Sequence, residues 1–384
     1  MAALTVALDY RPALHQAFGI GRYVQNLVPA LLQVDPELRL KLYGVFLRGR
    51  RERLRNHSFP DARRATFHGA AIPARLVPLL ARILPLDASS FTGPFDLFHD
   101  TDYISTPVKA RPRVATLYDT AWTKQRGFVS PEQSEKMGAA VRRIVRGVKR
   151  VITISEHAKQ ELMEELALPD TMVDVVPLGV DPIFRARVNA AATAAVQERI
   201  GIEAPYGVFV GTLEPRKNVI RLLRAFARLQ EVAPEQRLLL VGRAGHGYQR
   251  ILEEIARLNL DEAVLRTGVL PDAELVPLLH GAEYLAYPSL HEGFGLPALE
   301  GMAAGVPVLA SNTTALKEVC GEGALLVDPA DENSIADGLL RLACDRCEAL
   351  ELAARGLAHA ELFTWERCAR GTLQSYRRAL DLCE

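Results

Sequence analysis

The sequence predicts an α/β protein made of two facing, doubly wound domains. Three observations carry this reading. The chain has 384 residues, which is long for one domain. Short apolar runs of the parallel-strand type alternate with helical stretches, and the alternation restarts in the second half. Residues 284–311, YLAYPSLHEGFGLPALEGMAAGVPVLAS, read as strand, glycine-rich loop, helix, turn and strand, the repeating unit of such a fold. The two strand sets meet near residue 182, so residues 1–182 form the first domain and residues 183–362 the second.

Composition narrows the class. Apolar residues make up 49% of the chain and charged residues 24%, as in ordinary soluble proteins. Lys and Arg number 46, as do Asp and Glu, so no global field points to nucleic acid. Basic residues still cluster at 48–55, 63–64 and 142–150, a local patch at most. The five cysteines include a C-x-x-C pair, Cys344 and Cys347, in a helical stretch with no second pair. A structural metal wants four ligands and a redox pair would open a helix after a strand, so these read as reduced, incidental thiols. The start, MAALTVALDY, begins a strand at once and lacks the basic start and apolar core of a signal peptide. No apolar run is long enough to cross a bilayer, and a cytoplasmic protein is expected.

Residues 4–8 read as a buried strand, followed by the loop AFGIGRY and a helix over about 21–32. Gly19 and Gly21 imitate a dinucleotide fingerprint, but the third glycine and the later acidic residue are missing, which argues against a nicotinamide cofactor. The loop is either a tight turn or a place where backbone approaches a ligand. A second strand covers 39–46. Residues 48–64 are basic and irregular. In residues 74–86, ARLVPLLARILPL, Arg75 and Arg82 interrupt an apolar stretch. It fits a core helix broken by Pro78 and Pro85, or a segment resting on a membrane or gripping a lipid-linked acceptor.

Strands follow at 95–99 and 114–118, and Asp119 stands at a carboxyl end, where open α/β sheets place ligands. Residues 135–149 form a basic amphipathic helix. After a strand at 151–154, Ser155 caps the helix EHAKQELMEEL. A strand in 173–181 closes at Gly179, and 182–204 supply a linker and a leading helix. The second half opens with a strand at 208–210 that runs into GTLEPRKNV and a helix from Asn218. Arg216 and Lys217, at the mouth of that helix, either face an anion or are surface charge. Strands at 238–241 and 264–267 come next, with Asp272 capping a helix. After the 284–311 unit come a last strand at 325–327 and a long helical region at 331–357.

Within 284–311, Gly293 and Gly295 allow unusual backbone conformations, and Pro297 suits a first helical residue. A helix start can hold a diphosphate. Glu292 and Glu300 would repel that anion, so they are read as accepting bonds from the hydroxyls of a hexose and a ribose. The plainer alternative is a β-α-β unit with solvated glutamates.

The run E-GFGLPAL-E, Glu292 to Glu300, resembles the signature of family 4 glycosyltransferases, retaining enzymes of the two-Rossmann GT-B architecture. Other segments match in order over nearly the whole chain. The resemblance implies a nucleotide diphosphate-sugar held mainly by the second domain, an acceptor held mainly by the first, and an active site in the cleft between them. It implies that residues 363–384, beginning FTWERCARG, form a helix crossing back onto the first domain. Donor contacts would come from Gly19, Gly21, Gly211, Gly293, Phe294, Gly295 and Leu296, with Val269 and Leu270 at the base and Glu300 on the ribose. Arg216, Lys217, Glu292 and Asp119 would form the catalytic set, with Glu292 on the transferred sugar. Where the family reads His-Asp, this chain has Tyr118-Asp119; a tyrosine can donate a hydrogen bond but does not titrate near neutrality. His99 is the nearest histidine that could substitute, unless it is structural.

The implied reaction is front-face hexosyl transfer with retention, with no metal and no cofactor. GDP-mannose is the donor favoured by 305–331, although UDP-sugars and dTDP-rhamnose share much of that run. The implied acceptor is a glycan or polyprenyl-linked glycolipid of bacterial surface polysaccharide, with peripheral membrane contact through the basic first domain. Nucleic acid is not an expected partner. A sugar-nucleotide epimerase or phosphorylase on the same architecture, or a catalytically silent nucleotide-sugar-binding subunit, are the alternatives. A cofactor-dependent phosphorylase needs a Schiff-base lysine site, which no segment suggests.

Overall fold

The computed structural model describes residues 3–16, 19–45, 61, 63–70, 87–104, 106–109, 111–123, 127–203 and 205–381. The basic run 48–55, the segment 74–86 and Cys383 lie outside them. The chain divides into two units, Met1–Gly179 with Thr364–Glu384, and Val180–Phe363.

The first unit holds a parallel sheet of seven described strands: β1 (Thr5–Asp9), β2 (Arg39–Val45), β3 (Ala65–Ala70), β4 (Leu97–Asp100), β5 (Arg113–Thr116), β6 (Arg150–Thr153) and β7 (Val173–Val175). Their spatial order is β3-β2-β1-β4-β5-β6-β7, so the winding reverses between β1 and β4. Apolar side chains such as Val6, Leu8, Leu97, Phe98 and Val114 are fully enclosed, as strands covered on both faces require. Two buried ion pairs, Arg11 with Asp9 and Arg113 with Asp100, stand at the carboxyl ends of β1 and β4. β3 is absent from the sequence reading because Thr66, His68 and Gly69 hide its period on an edge strand.

The last helix, Trp365–Ala379, packs on the helix Ile20–Val34 of this unit. Polar contacts fasten it. Asp174 accepts from Ser375 Oγ at 2.7 Å and from Arg378 Nη1 at 2.6 Å. Gly179 runs so close beneath the helix that a Cβ there would lie 2.3 Å from the Trp365 nitrogen.

The second unit holds a parallel sheet of six described strands: β8 (Tyr206–Val210), β9 (Arg237–Val241), β10 (Val264–Gly268), β11 (Tyr284–Tyr287), β12 (Val308–Ser311) and β13 (Leu325–Val327). Their order is β10-β9-β8-β11-β12-β13, and the winding reverses between β8 and β11.

Several helix boundaries differ from the sequence reading. The helix expected over 135–149 is Pro131–Val145, because Ser130 and Gln133 form a reciprocal capping box ahead of it. The long region expected over 331–357 is two helices, Glu332–Cys344 and Arg346–Ala360, divided at Asp345, whose side chain caps the second. Asp272 is not a cap; it lies in the first turn, where its charge suits the helix dipole. The four described cysteines are free, and burial pushes the Cys320 and Cys368 thiols up to about 12, which makes them inert. Among the described residues no helix is long and apolar enough to cross a membrane.

Candidate functional site

Open α/β sheets bind ligands at the carboxyl ends of strands where the winding reverses. In the second unit that point lies between β8 and β11. Beyond β8, Pro215–Lys217 make a single 3-10 turn, and Asn218 follows with φ 61°, a left-handed conformation that asparagine tolerates better than most residues. Its side-chain amide donates to the carbonyls of Pro288 at 2.9 Å and Pro329 at 2.7 Å. The Leu290 N–H donates to the Arg216 carbonyl at 2.9 Å. The turn bearing the two cations is thus tied to the loop after β11 before any charged group is considered.

The charged groups then converge. Lys217 is 7% exposed; its Nζ donates to Glu292 Oε1 and to the Tyr287 hydroxyl, both at 2.5 Å. The Tyr287 hydroxyl donates in turn to Glu292 Oε1 at 2.9 Å. Arg216 Nη1 donates to Glu292 Oε2 at 3.1 Å and to the His291 carbonyl at 2.9 Å, and its Nε reaches Glu214 at 3.1 Å. Two cations and two carboxylates cancel in formal charge.

The pKa shifts follow from this enclosure. Burial would raise the Glu292 carboxyl, but Lys217 and Arg216 outweigh it and hold it down at about 2. Burial, with help from Arg216, pushes the Lys217 ammonium below the lysine range, against the pull of Glu292. Tyr287 is pushed well above its ordinary value by burial and by Glu292, so it stays a neutral hydroxyl that both accepts and donates. Chemically the cluster is a cation pair fixed by its hydrogen bonds, with Glu292 and Glu214 as its counter-charges.

The glycine-rich loop lies beside this cluster in sequence. Gly295 caps the helix Leu296–Ala303 with φ 101°, and a Cβ there would stand 2.3 Å from Leu316 Cδ2. Gly293 is not among the positive-φ glycines, so only one of the two expected positions needs glycine for that reason. Leu296 opens the helix, with Pro297 second rather than first. Phe294 is buried edge-on against Phe363, ring centres 5.9 Å apart. Glu300 is 5% exposed on the same helix. Gly211 directly follows β8 with φ 157°, its Cβ position 3.6 Å from Lys217 Cε. Beyond β10, Val269 is exposed and Leu270 buried.

In the first unit, Gly19 caps the helix Ile20–Val34, and a Cβ on Gly21 would lie 1.8 Å from the Gln16 carbonyl oxygen. No other residue fits there without pushing the preceding loop off the helix start. Asp119 follows β5, half-buried, with Oδ1 accepting from the Ala121 N–H at 3.0 Å. The Tyr118 hydroxyl donates to the Thr101 carbonyl at 2.7 Å, and burial raises its pKa well above the ordinary value. His99 corrects an expectation: it is fully buried, with Nδ1 paired to the Tyr376 hydroxyl at 2.7 Å and Nε2 to Thr116 Oγ1 at 2.8 Å. Both ring nitrogens are committed to the core, where His99 anchors the last helix. It is a structural residue, not a substrate contact.

Tyr287, Asn218 and Glu214 were missed as members of the site. Tyr287 ends its strand just before Pro288, a visible position. That β11 neighbours β8, however, is a property of the sheet order rather than of either segment.

The chain matches the family model "Glycosyl transferases group 1" over residues 194–356 and "Glycosyltransferase Family 4" over residues 19–184. It is 29% identical to O-antigen chain mannosyltransferase B of Escherichia coli over 379 residues, 95% of this chain and 97% of that one. A D-inositol 3-phosphate glycosyltransferase of Nocardia farcinica is 31% identical over 80% of this chain and 72% of its own. The MMP alpha-(1->4)-mannosyltransferase of Mycolicibacterium hassiacum is 32% identical over 75% and 72%. In structure, sucrose-phosphate synthase from Thermosynechococcus elongatus superposes with a TM-score of 0.77 at 22% identity, covering 99% of this chain and 100% of the other.

Proposed function

We propose, for a chain that belongs to the family 4 glycosyltransferases of GT-B architecture, the transfer of mannose from GDP-mannose to a glycan or glycolipid acceptor with retention at the anomeric carbon. The observation that carries this reading is the Arg216–Lys217–Glu292–Tyr287 cluster at the winding reversal of the second domain. The mannosyltransferase relatives support mannose as the transferred sugar. Surface polysaccharide synthesis is the setting that the O-antigen relative suggests.

In the proposed reaction the acceptor hydroxyl oxygen forms the new bond to the anomeric carbon on the face from which the diphosphate departs. The bond from that carbon to the diphosphate oxygen breaks, and the hydroxyl proton passes to the leaving phosphate. Negative charge grows on the leaving group as the bond stretches. Arg216 and Lys217 meet that charge from fixed positions, so little reorganisation is needed as the reaction proceeds. Arriving diphosphate competes with Glu292 and Glu214 for the two cations. At least three of the roughly four lone-pair positions of Glu292 are already taken, and a remaining one can accept a sugar hydroxyl. Glu300 takes the ribose diol. Asp119 and the start of the helix Ile20–Val34 serve the acceptor side and the diphosphate from the first domain. No metal is required, since the two cations serve the leaving group.

The test is a melting-temperature panel with GDP, UDP and dTDP, followed by product analysis with GDP-mannose. GDP should raise the melting temperature, because a ligand specific to the folded state stabilises it. The anomeric proton of the product should report the donor's configuration, in the presence of a chelator. Stabilisation by UDP and not GDP would reject mannose from GDP-mannose, and chelator inhibition reversed by manganese would reject metal independence.

A further inference from the structure

The helix Arg346–Ala360 of the second unit turns its small residues inward. Ala349, Ala353, Gly356 and Ala360 are buried against the domain, together with Leu352. Its other two leucines point the opposite way: Leu350 is 58% exposed and Leu357 45%. Single exposed leucines are ordinary, but these two stand two turns apart on one face, with the exposed Ala354 between them. Arg346 and Glu361, both exposed, extend that face at its two ends. Residues 346, 350, 354, 357 and 361 thus follow one another at the three- and four-residue steps of a helical seam. A contiguous apolar stripe rimmed by charges is the signature of an interaction surface.

The charges name the partner. Arg346 is the first residue of the helix and Glu361 its C-cap, so each sits at the end whose dipole opposes it. Neither has an ion-pair partner among the described residues. A second copy of the helix lying antiparallel corrects both at once. Arg346 and Glu361 are equally far from the midpoint between Ala353 and Ala354, and so are Leu350 and Leu357. About a two-fold axis through that midpoint, Arg346 meets the partner's Glu361, and each charge lies beside the helix end whose dipole it suits. Leu350 packs on the partner's Leu357, and Ala354, nearest the axis, is small enough to let the two helices approach closely. The stripe is self-complementary, as a two-fold contact requires. An anionic membrane fits it worse, because the flanking Glu351 and Arg355 keep carboxylates and guanidiniums in equal number. We infer that this face docks a second copy of the chain, by antiparallel two-fold pairing of the helix Arg346–Ala360. The pairing concerns assembly and does not rest on the reaction or the sugar proposed above.

The helix has 15 residues. A seam of that length buries less than the roughly 1,200–2,000 Å² of a standard interface, so the dimer should be weak, with a Kd on the order of 10–100 μM. Sedimentation velocity of the full-length protein should show monomer passing to dimer over roughly 1–300 μM. Reductant keeps the exposed Cys344 and Cys347 from cross-linking. Leu350→Glu combined with Leu357→Glu should hold the protein monomeric over that range, with the melting temperature in dilute solution unchanged because both side chains are exposed. Arg346→Glu and Glu361→Arg each bring like charges together at both ends of the seam, and each should weaken the dimer on the order of tenfold or more. Both changes suit the helix dipole, so neither should unfold the chain. Mixed in equal amounts, these two variants should form a heterodimer as tight as the parent dimer, since each then supplies the charge the other lacks. A parent that stays monomeric throughout overturns the inference, as does a dimer indifferent to the leucine changes. Failure of the mixture to recover rejects the antiparallel pairing. Binding of a monomeric parent to anionic phospholipid vesicles, lost in the leucine variant, would give the face to a membrane instead.

Discussion

Lys217 shows how a residue that is costly to bury can still be held inside a domain. An ammonium in so enclosed a position is tolerated because Glu292 and Tyr287 receive it. Removing it should cost turnover more than fold: Lys217→Ala is expected to lower kcat on the order of 100-fold or more, the usual effect of deleting one such fixed donor. A steady-state assay on the purified variant checks this, and an unchanged rate would remove Lys217 from the reaction. Glu292→Gln should behave differently. It keeps the shape but leaves the buried Lys217 ammonium without its counter-charge, while Arg216 keeps Glu214, so unfolding free energy should fall by about 3–5 kcal/mol, the loss typical of a broken buried pair. Chemical denaturation measures that, and a variant as stable as the parent would mean that Glu292 is not the counter-charge. Arg216, Lys217 and Glu292 could be named from sequence because charged residues at a strand end or a helix mouth are conspicuous. Tyr287 could not, since a tyrosine in an apolar strand looks like core until its neighbouring strand is known.

Elements were legible in proportion to how local their causes are. The strand, loop and helix of residues 284–311 follow from Gly295, Pro297 and Gly305, each acting on its own backbone, and the structure keeps them in that order. Boundaries failed where a side chain acted across several residues: the Ser130–Gln133 box started a helix early, and Asp345 split another. Gly295 makes the local argument testable. Gly295→Ala meets two obstacles, a φ of 101° and the Leu316 methyl at 2.3 Å. The strained backbone alone should cost about 1–3 kcal/mol. Adding Leu316→Ala removes the collision but not the strain, so thermal unfolding of the double variant should recover none of the strain component. Full recovery of the melting temperature would show that the backbone conformation is dispensable there.

Across the whole chain, pH reports on the packing of the first domain. Burial holds the His99 imidazole down from 6.5 to about 3, so the folded protein keeps it neutral. Below pH 6.5 the unfolded chain binds a proton that the folded one refuses. The stabilisation is therefore complete above about 6.5 and declines as pH falls toward 3, by about 1.4 kcal/mol per pH unit. Urea midpoints measured from pH 7 to pH 5 should fall more steeply for the parent than for His99→Gln, and equal slopes would reject the buried neutral histidine. The sequence revealed two domains because alternation restarts, but it left open whether His99 was structural, since its partner Tyr376 is 277 positions away. That distance has a consequence during synthesis. Val180 N–H and the Phe363 carbonyl meet at 3.2 Å, so the second unit begins and ends at one place and is complete once Phe363 has been made. The first unit still lacks the helix that His99 and Asp174 hold. On the ribosome, the part of the protein translated first should be the last to reach its native state.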